Sequence, residues 1–414
     1  NESDEMTVLY PDAAFIESRR EKLEGLVITH AHQDHLGAVA DLWPRLQCPV
    51  YATPFAAAML EGPLDEAGLL GRVPVRTIKE TGHFRIGPFE LERIPLTHST
   101  VEMGALVIRT EAATVLHTGD WKLDPDPVVG AETDETALRR LADEGVDIVV
   151  SDSTNADVPG WSPSEGDLPG ALRRLFKSMT GRIFVPFFSS NVARMATLGR
   201  LADELERDIV FVGRSLERTV AAAQRVGYLG ELPRVVPARM FGYLPPERVI
   251  VLCTGSQGEP RAGLARIAAD EHPFVYIEPN DAVVFSSRTI PGSEESLDRL
   301  QRMLADKGAR VVTDDDAFVH VSGHPRQDEL RTLYKWVRPS WVLPVHGTPP
   351  KLEAHAALAE EMGLGAIRAR NGQRIRLGPD GGQLIDEVPT GRVPRVETVP
   401  SMPSPRSRRD RRRR

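Results

Sequence analysis

The chain has 414 residues, 41% of them hydrophobic and 27% charged, with a formal net charge of −8 at pH 7. That is the composition of a globular protein with length for about two to three domains and a sizeable core. Two cysteines, Cys48 and Cys253, exclude a disulfide framework and point to a reducing, cytoplasmic setting.

No apolar run approaches the length of a membrane span, and the acidic start Asn1-Glu2-Ser3-Asp4-Glu5 has no signal-peptide pattern. Residues 405–414 hold seven arginines and one aspartate, a local +6 that leaves −14 for the remainder. An acidic body argues against non-specific nucleic-acid binding but allows a basic groove. The Arg-rich tail is expected to be disordered, either an electrostatic tether for RNA or a solubilising terminus.

In chain order, Leu26–Thr29 predicts a buried strand. It runs directly into His30-Ala31-His32-Gln33-Asp34-His35, three imidazoles and a carboxylate within six residues. Leu36–Leu46 follows as a helix. Thr114–Leu116 and Asp147–Ser151 predict further strands, ending in His117-Thr118-Gly119-Asp120 and Ser151-Asp152-Ser153-Thr154-Asn155. Strands that repeatedly end in functional side chains place a site on one edge of a sheet.

From about Gly160 the pattern becomes parallel α/β. Strands are expected at Arg182–Phe188, Asp208–Val212, Arg248–Cys253, Phe274–Ile277, Ala282–Phe285, Ala309–Val312 and Trp341–Val345. Helices are expected near Val192–Arg207, Leu216–Val226, Glu294–Lys307 and Lys351–Met362. Short strands near Arg374–Leu377 and Gln383–Ile385 close the ordered part, and disorder is expected beyond about Pro389.

A hydrolytic two-metal site needs ligands for both ions, a bridging carboxylate and an open position for water. His30, His32 and His98 suit one ion; Asp34, His35 and His346 suit the other; Asp120 can bridge. Asp120 and His346 must then meet across 226 positions, so a whole domain lies between them. An inserted domain over a metal face makes a cleft suited to a single strand. His117 is read as structural. His83, His272 and His355 are read as surface residues, and Phe187 and Phe188 as core.

These segments resemble the metallo-β-lactamase superfamily in His-Ala-His-Gln-Asp-His, Leu-Thr-His-Ser and His-Thr-Gly-Asp. Ser151–Asn155, Phe187–Asn191, Thr254–Pro260, Ile290-Pro291-Gly292, His320-Val321-Ser322-Gly323-His324 and Pro344-Val345-His346-Gly347 narrow the resemblance to the ribonuclease J family, a β-CASP group. It runs from about Leu26 to Val388. It implies an α/β fold: an αββα metallo-β-lactamase sandwich (1–155, returning over 319–390) with an inserted parallel α/β β-CASP domain (156–318), then a tail over 391–414. It further implies a ribonuclease with 5′→3′ exonuclease and endonuclease activity in rRNA maturation and mRNA decay.

By the same resemblance the metal ligands are His30, His32, Asp34, His35, His98, Asp120 and His346, for two zinc ions with manganese as the alternative. Asp152 and His324 match the family's catalytic pair. The segment His320, Val321, Ser322, Gly323 and His324 matches its phosphate-binding stretch. The expected substrate is single-stranded RNA bearing a 5′-monophosphate. The family's first glycine-rich strands are expected to be missing ahead of His30. Its C-terminal dimerisation domain is expected to be missing past about Arg392, which leaves a homodimer open. Rival readings are a hydrolase of small esters, thioesters or lactams, and an RNA-binding protein without catalysis. A histidine suits protonation of a departing sugar oxygen near neutral pH, which makes His324 the expected acid and Asp152 its orienting partner.

Overall fold

The computed structural model describes residues 9–394. Its main sheet has seven strands, ordered Gly365–Ala366, Trp341–Val345, Ile148–Asp152, Thr114–His117, Gly104–Arg109, Phe89–Pro95, Gly82–Ile86. The first four run parallel and the rest antiparallel. Facing it is a three-stranded parallel sheet of Leu26–Val27, Val50–Ala52 and Val75–Thr77. Tyr51, Ile78, Ile86, Leu91 and Leu106 fill the space between the sheets.

Outside the larger sheet, helices Glu135–Glu144, Gln327–Val337 and Pro349–Glu361 bury Leu138, Leu141, Leu330, Leu333 and Leu358 against Val107, Leu116, Val149 and Val342. Outside the smaller sheet, Val39–Leu46 and Pro54–Glu66 cover Val50 and Ala52. The layers are therefore helix, sheet, sheet, helix. Buried Glu102 caps the second of these outer helices, accepting from Phe55 N at 2.7 Å.

Between Asp152 and Trp341 the chain builds a second, all-parallel sheet, ordered Asp208–Val212, Val249–Cys253, Ile183–Pro186, Ala282–Val284, Arg310–Val312. Its runs, such as Val249-Ile250-Val251-Leu252-Cys253, are apolar throughout because helices cover both faces. Asn191 starts the helix Val192–Glu204 by accepting from Arg194 N at 2.8 Å. One apolar core runs unbroken from Val50 and Phe55 into Leu198, Leu216 and Ile250, so the insertion is packed onto the sandwich.

Three expectations need correction. Phe274–Ile277 forms no strand, because the place beside Ile183–Pro186 is taken by Ala282–Val284; Val275 and Ile277 still turn into the core. The helix expected over Leu36–Leu46 is two, Gln33–Leu36 and Val39–Leu46. Past Pro389 the chain is ordered as far as Arg392–Pro394, which pairs antiparallel with Leu9–Pro11. The Arg-rich stretch lies outside the described residues.

Candidate metal centre

The strand Leu26–Val27 delivers His30 to the lip between the two sheets, and the helix Gln33–Leu36 carries Asp34 and His35 in its first turn. His98 follows Phe89–Pro95, Asp120 follows Thr114–His117, and His346 follows Trp341–Val345. Their donor atoms gather in two groups. One nitrogen or oxygen from each of His30, His32, His98 and Asp120 lies within 4.8 Å of the others, and the same holds for Asp34, His35, Asp120 and His346. All seven residues singled out from the sequence as ligands thus stand together, and Asp120 belongs to both groups.

The polarity of this cluster fits a divalent cation. His30 is fully buried, and its Nε2 has no hydrogen-bond partner. Its other nitrogen is held by Thr29 Oγ1 at 3.0 Å. A buried ring nitrogen without a partner is costly unless something binds it. His98 Nδ1 donates to Gly323 O at 2.6 Å, which leaves the Nε2 lone pair directed toward His32 at 3.0 Å. Orientation of one ring nitrogen by a backbone carbonyl while the other faces the site is the usual support of a metal-binding histidine. Gly323 is required there: a Cβ would lie 2.7 Å from His98 Nδ1 and 2.8 Å from Ser99 Oγ.

Titration behaviour divides the cluster. Burial holds His30 and His98 well below the ordinary histidine range and pulls His32 down to about 4, so these three present neutral lone pairs. His35 and His346 go the other way. Burial opposes charge on both. Hydrogen bonds to Asp120 and Asp34 nevertheless raise His35 to about 9, and those to Asp152 and Asp34 raise His346 to about 11. Three carboxylates converge here and recruit positive charge, the electrostatic demand that divalent ions meet.

Asp152 is fully buried at the end of its strand. Oδ1 accepts from Thr154 N at 2.8 Å and Thr154 Oγ1 at 2.7 Å, and Oδ2 accepts from His324 Nδ1 at 2.6 Å. Burial raises the Asp152 carboxyl, but the His324 charge and hydrogen bond outweigh it and hold the group well below the usual range. In return Asp152 raises His324 against the opposing effect of burial. The His324 ring centroid lies 5.0 Å from His98 and 5.6 Å from His346, so the pair borders both metal groups.

Within the expected phosphate segment the five residues have different places. Val321 is core. His320 Nδ1 is buried without a partner. Ser322 Oγ accepts from Asn155 Nδ2 at 2.9 Å. Gly323 supports His98, and the His324 carbonyl accepts from Ser162 Oγ at 2.7 Å.

Sequence reasoning missed the supports. Arg194 is fully buried, pairs with Glu165 through two bonds of 2.7 and 3.0 Å, and donates to Ser286. Ser286 Oγ donates in turn to Val319 O at 2.6 Å, tying the insertion to the start of the phosphate segment. His355, expected at the surface, is fully buried because its helix turns it inward: Tyr334 Oη donates to its Nε2, and its Nδ1 meets Ser153 Oγ at 2.8 Å. Its setting in an Ala-rich helix beside small residues was the signal available. His83 is exposed and His272 half-buried, while His117 accepts from Gly119 N at 3.0 Å, a structural part.

Three family models match in succession: the beta-lactamase superfamily domain over residues 8–157, the ribonuclease J beta-CASP domain over 180–304, and the Zn-dependent metallo-hydrolase RNA specificity domain over 308–370. Ribonuclease J of Sinorhizobium meliloti is 43% identical over 93% of this chain and 69% of its own length. Ribonuclease J of Mycolicibacterium smegmatis is 41% identical, covering 89% and 67%. For ribonuclease J of Helicobacter pylori the identity is 35%, and the chain spans 55% of that protein. A crystal structure of an Enterococcus faecalis protein of unknown function shares the fold, with a TM-score of 0.59 at 16% identity over 87% of this chain and 80% of that one.

Proposed function

The chain belongs to the ribonuclease J family and is a metal-dependent ribonuclease, and we propose that it hydrolyses single-stranded RNA at the convergence of its two histidine–aspartate groups. On this reading His30, His32, His98 and Asp120 hold one zinc ion. Asp34, His35, Asp120 and His346 hold the second, with manganese as the alternative metal. Once bound, such ions would lower the pKa of a water toward 7 and offset the charge of the phosphate.

The remaining work falls to the chain's own side chains. Cleavage that leaves a 3′-hydroxyl moves one proton onto the departing O3′ as the P–O3′ bond breaks and the water oxygen bonds to phosphorus. His324 supplies that proton from Nε2. Asp152 accepts from Nδ1–H, which fixes the ring and stabilises its protonated form. The Ser322 hydroxyl and Gly323 amide grip a non-bridging oxygen. His320 belongs to the same grip.

The carrying observation is the 2.6 Å bond from His324 Nδ1 to buried Asp152 beside both donor groups; the pair also stands with His346 as a third set of donors within 4.8 Å, so metal content is what separates an acid from a ligand. The proposal extends to 5′→3′ exonuclease and endonuclease activity on 5′-monophosphorylated RNA in rRNA maturation and mRNA decay in the cytoplasm. It divides the chain into a sandwich over 1–155 and 319–390 and a β-CASP insertion over 156–318. His324→Ala should lower kcat about 10²–10⁴-fold while metal content stays at the wild-type level. Metal loss equal to that of His30→Ala would make His324 a ligand and remove it as the acid.

A further inference from the structure

The loop that leaves the strand Ile148–Asp152 carries more than the residue that holds the acid. Asp152 accepts from His324, Thr154 reaches His346, and Asn155 turns toward the phosphate segment. Asn155 is 1% exposed, and a buried side-chain amide needs partners at both of its ends.

Its orientation is fixed by partners that leave no choice. Oδ1 lies 3.2 Å from Arg288 Nη1, and a guanidinium can only donate. Nδ2 lies 3.3 Å from the His324 carbonyl, which can only accept. The amide therefore presents its oxygen to the insertion and its nitrogen to the phosphate segment. Exchanging the two ends would set donor against donor on one side and acceptor against acceptor on the other.

That orientation decides what Ser322 can do. The same Nδ2 donates to Ser322 Oγ at 2.9 Å, and the His324 backbone N–H, a pure donor, reaches the same oxygen at 3.3 Å. A hydroxyl oxygen has two lone pairs and one proton. Both lone pairs are taken, and the proton goes to no group among the described residues. Ser322 is half-buried, so the proton is open to a bound ligand. A hydroxyl that cannot accept suits a partner that cannot donate. A non-bridging phosphate oxygen is such a partner, and its charge strengthens the bond.

We propose that Asn155 is a positioning residue that locks Ser322 as a donor to the scissile phosphate. The inference rests on the reading of Ser322 as part of the phosphate grip. Locked in this way, the hydroxyl needs no reorientation when the phosphate arrives. A side chain of the same shape and opposite polarity would undo the lock. A carboxylate offers only acceptors, so the Ser322 proton would turn toward it and away from the RNA.

The test uses the metal-loaded enzyme and a single-stranded RNA cleaved at a defined linkage. That linkage carries either oxygen alone or one phosphorothioate of either configuration. Asn155→Asp should lower kcat/KM on the all-oxygen RNA about 10–100-fold, the range for a lost hydrogen bond to a charged group, with metal content at the wild-type level. Ser322→Ala should cost a similar factor, and the double variant no more than either alone. Asn155→Ala removes the amide without supplying an acceptor. It should fall between wild type and Asn155→Asp, and it carries the test if the carboxylate prevents folding. Sulfur is the weaker acceptor, so in one configuration the wild-type enzyme should lose activity, and Asn155→Asp and Ser322→Ala should lose less of theirs. Losses that multiply in the double variant would overturn the proposal, because Asn155 would then act through the His324 carbonyl as a prop for the acid. Undiminished cleavage by Asn155→Asp would overturn it as well. Failure of the underlying reading is separate: Ser322→Ala would then cleave as fast as the unaltered enzyme, with both phosphorothioate penalties unchanged, and the proposal would fall with it.

Discussion

The two halves of the candidate metal centre share Asp120 but are built differently. The half with His30, His32 and His98 is buried: His30 is 0% exposed, His98 7% and Asp120 3%. Thr29 and the Gly323 carbonyl orient its rings, and packed core lies behind it at Ile28, Ala31 and Leu36. The half with Asp34, His35 and His346 is open. Asp34 and His346 are exposed. His346 adopts φ 54°, a left-handed conformation uncommon outside glycine. Beside it lies a cavity of about 390 Å³ lined by Val27, His35, His117, Val345 and His346. The contrast teaches that one ion position is fixed by burial and core packing, with Gly323 orienting His98. The other depends on His346, an exposed residue in a strained backbone conformation, and it is the half that substitutions should loosen first.

Removing the shared ligand should erase the contrast. Asp120→Ala should deplete metal from both halves and lower RNA cleavage by more than about 10³-fold, beyond the loss of a single stabilising group. Mass-spectrometric metal analysis paired with kcat/KM checks this. If only one half emptied, Asp120 would not bridge.

A smaller perturbation should separate the halves. Thr154 Oγ1, which donates to Asp152 Oδ1 at 2.7 Å, also lies 3.1 Å from His346 Nδ1 and 3.2 Å from the His346 carbonyl, but it touches nothing in the buried half. Thr154→Val should weaken the open half about 10–100-fold in metal affinity and leave the buried half unchanged. Competition with a graded set of chelators reads both affinities.

The smallest effect concerns stability. Burial holds His355 down to about 4, against an ordinary value near 6.5. Its folded pKa is depressed, so the unfolded chain takes up the proton first. The contribution is complete above about pH 6.5 and is lost as pH falls toward 4, about 3 kcal/mol in all. His355→Gln should remove that share of the pH dependence. It should also destabilise the protein at pH 7 by about 1–3 kcal/mol through the unsatisfied Tyr334 and Ser153 hydroxyls. Urea unfolding of both proteins at pH 7 and pH 5 measures the difference.

What the sequence made legible was local or strongly patterned. His30 to His35 announce themselves as a block, and apolar runs such as Asp208–Val212 and Trp341–Val345 coincide with strands to the residue. His346 was legible only through its Val-His-Gly context and the need for a distant partner. Phe274–Ile277 misled because its apolar side chains, Val275 and Ile277, are buried without the segment joining a ladder. His355 was misread because polarity along a helix does not say which face meets a second helix. The Arg194–Glu165 pair was invisible, since two charges 29 positions apart give no sign that folding buries them together.

Metal stoichiometry of wild-type, His30→Ala and His346→Ala proteins, read together with cleavage of single-stranded RNA, tests most directly whether remote segments form one dinuclear site. The account predicts two divalent ions per wild-type chain. It predicts one in His346→Ala, with the buried half still loaded, and cleavage lost in both variants. Two ions retained in His346→Ala, or undiminished cleavage by it, would contradict it.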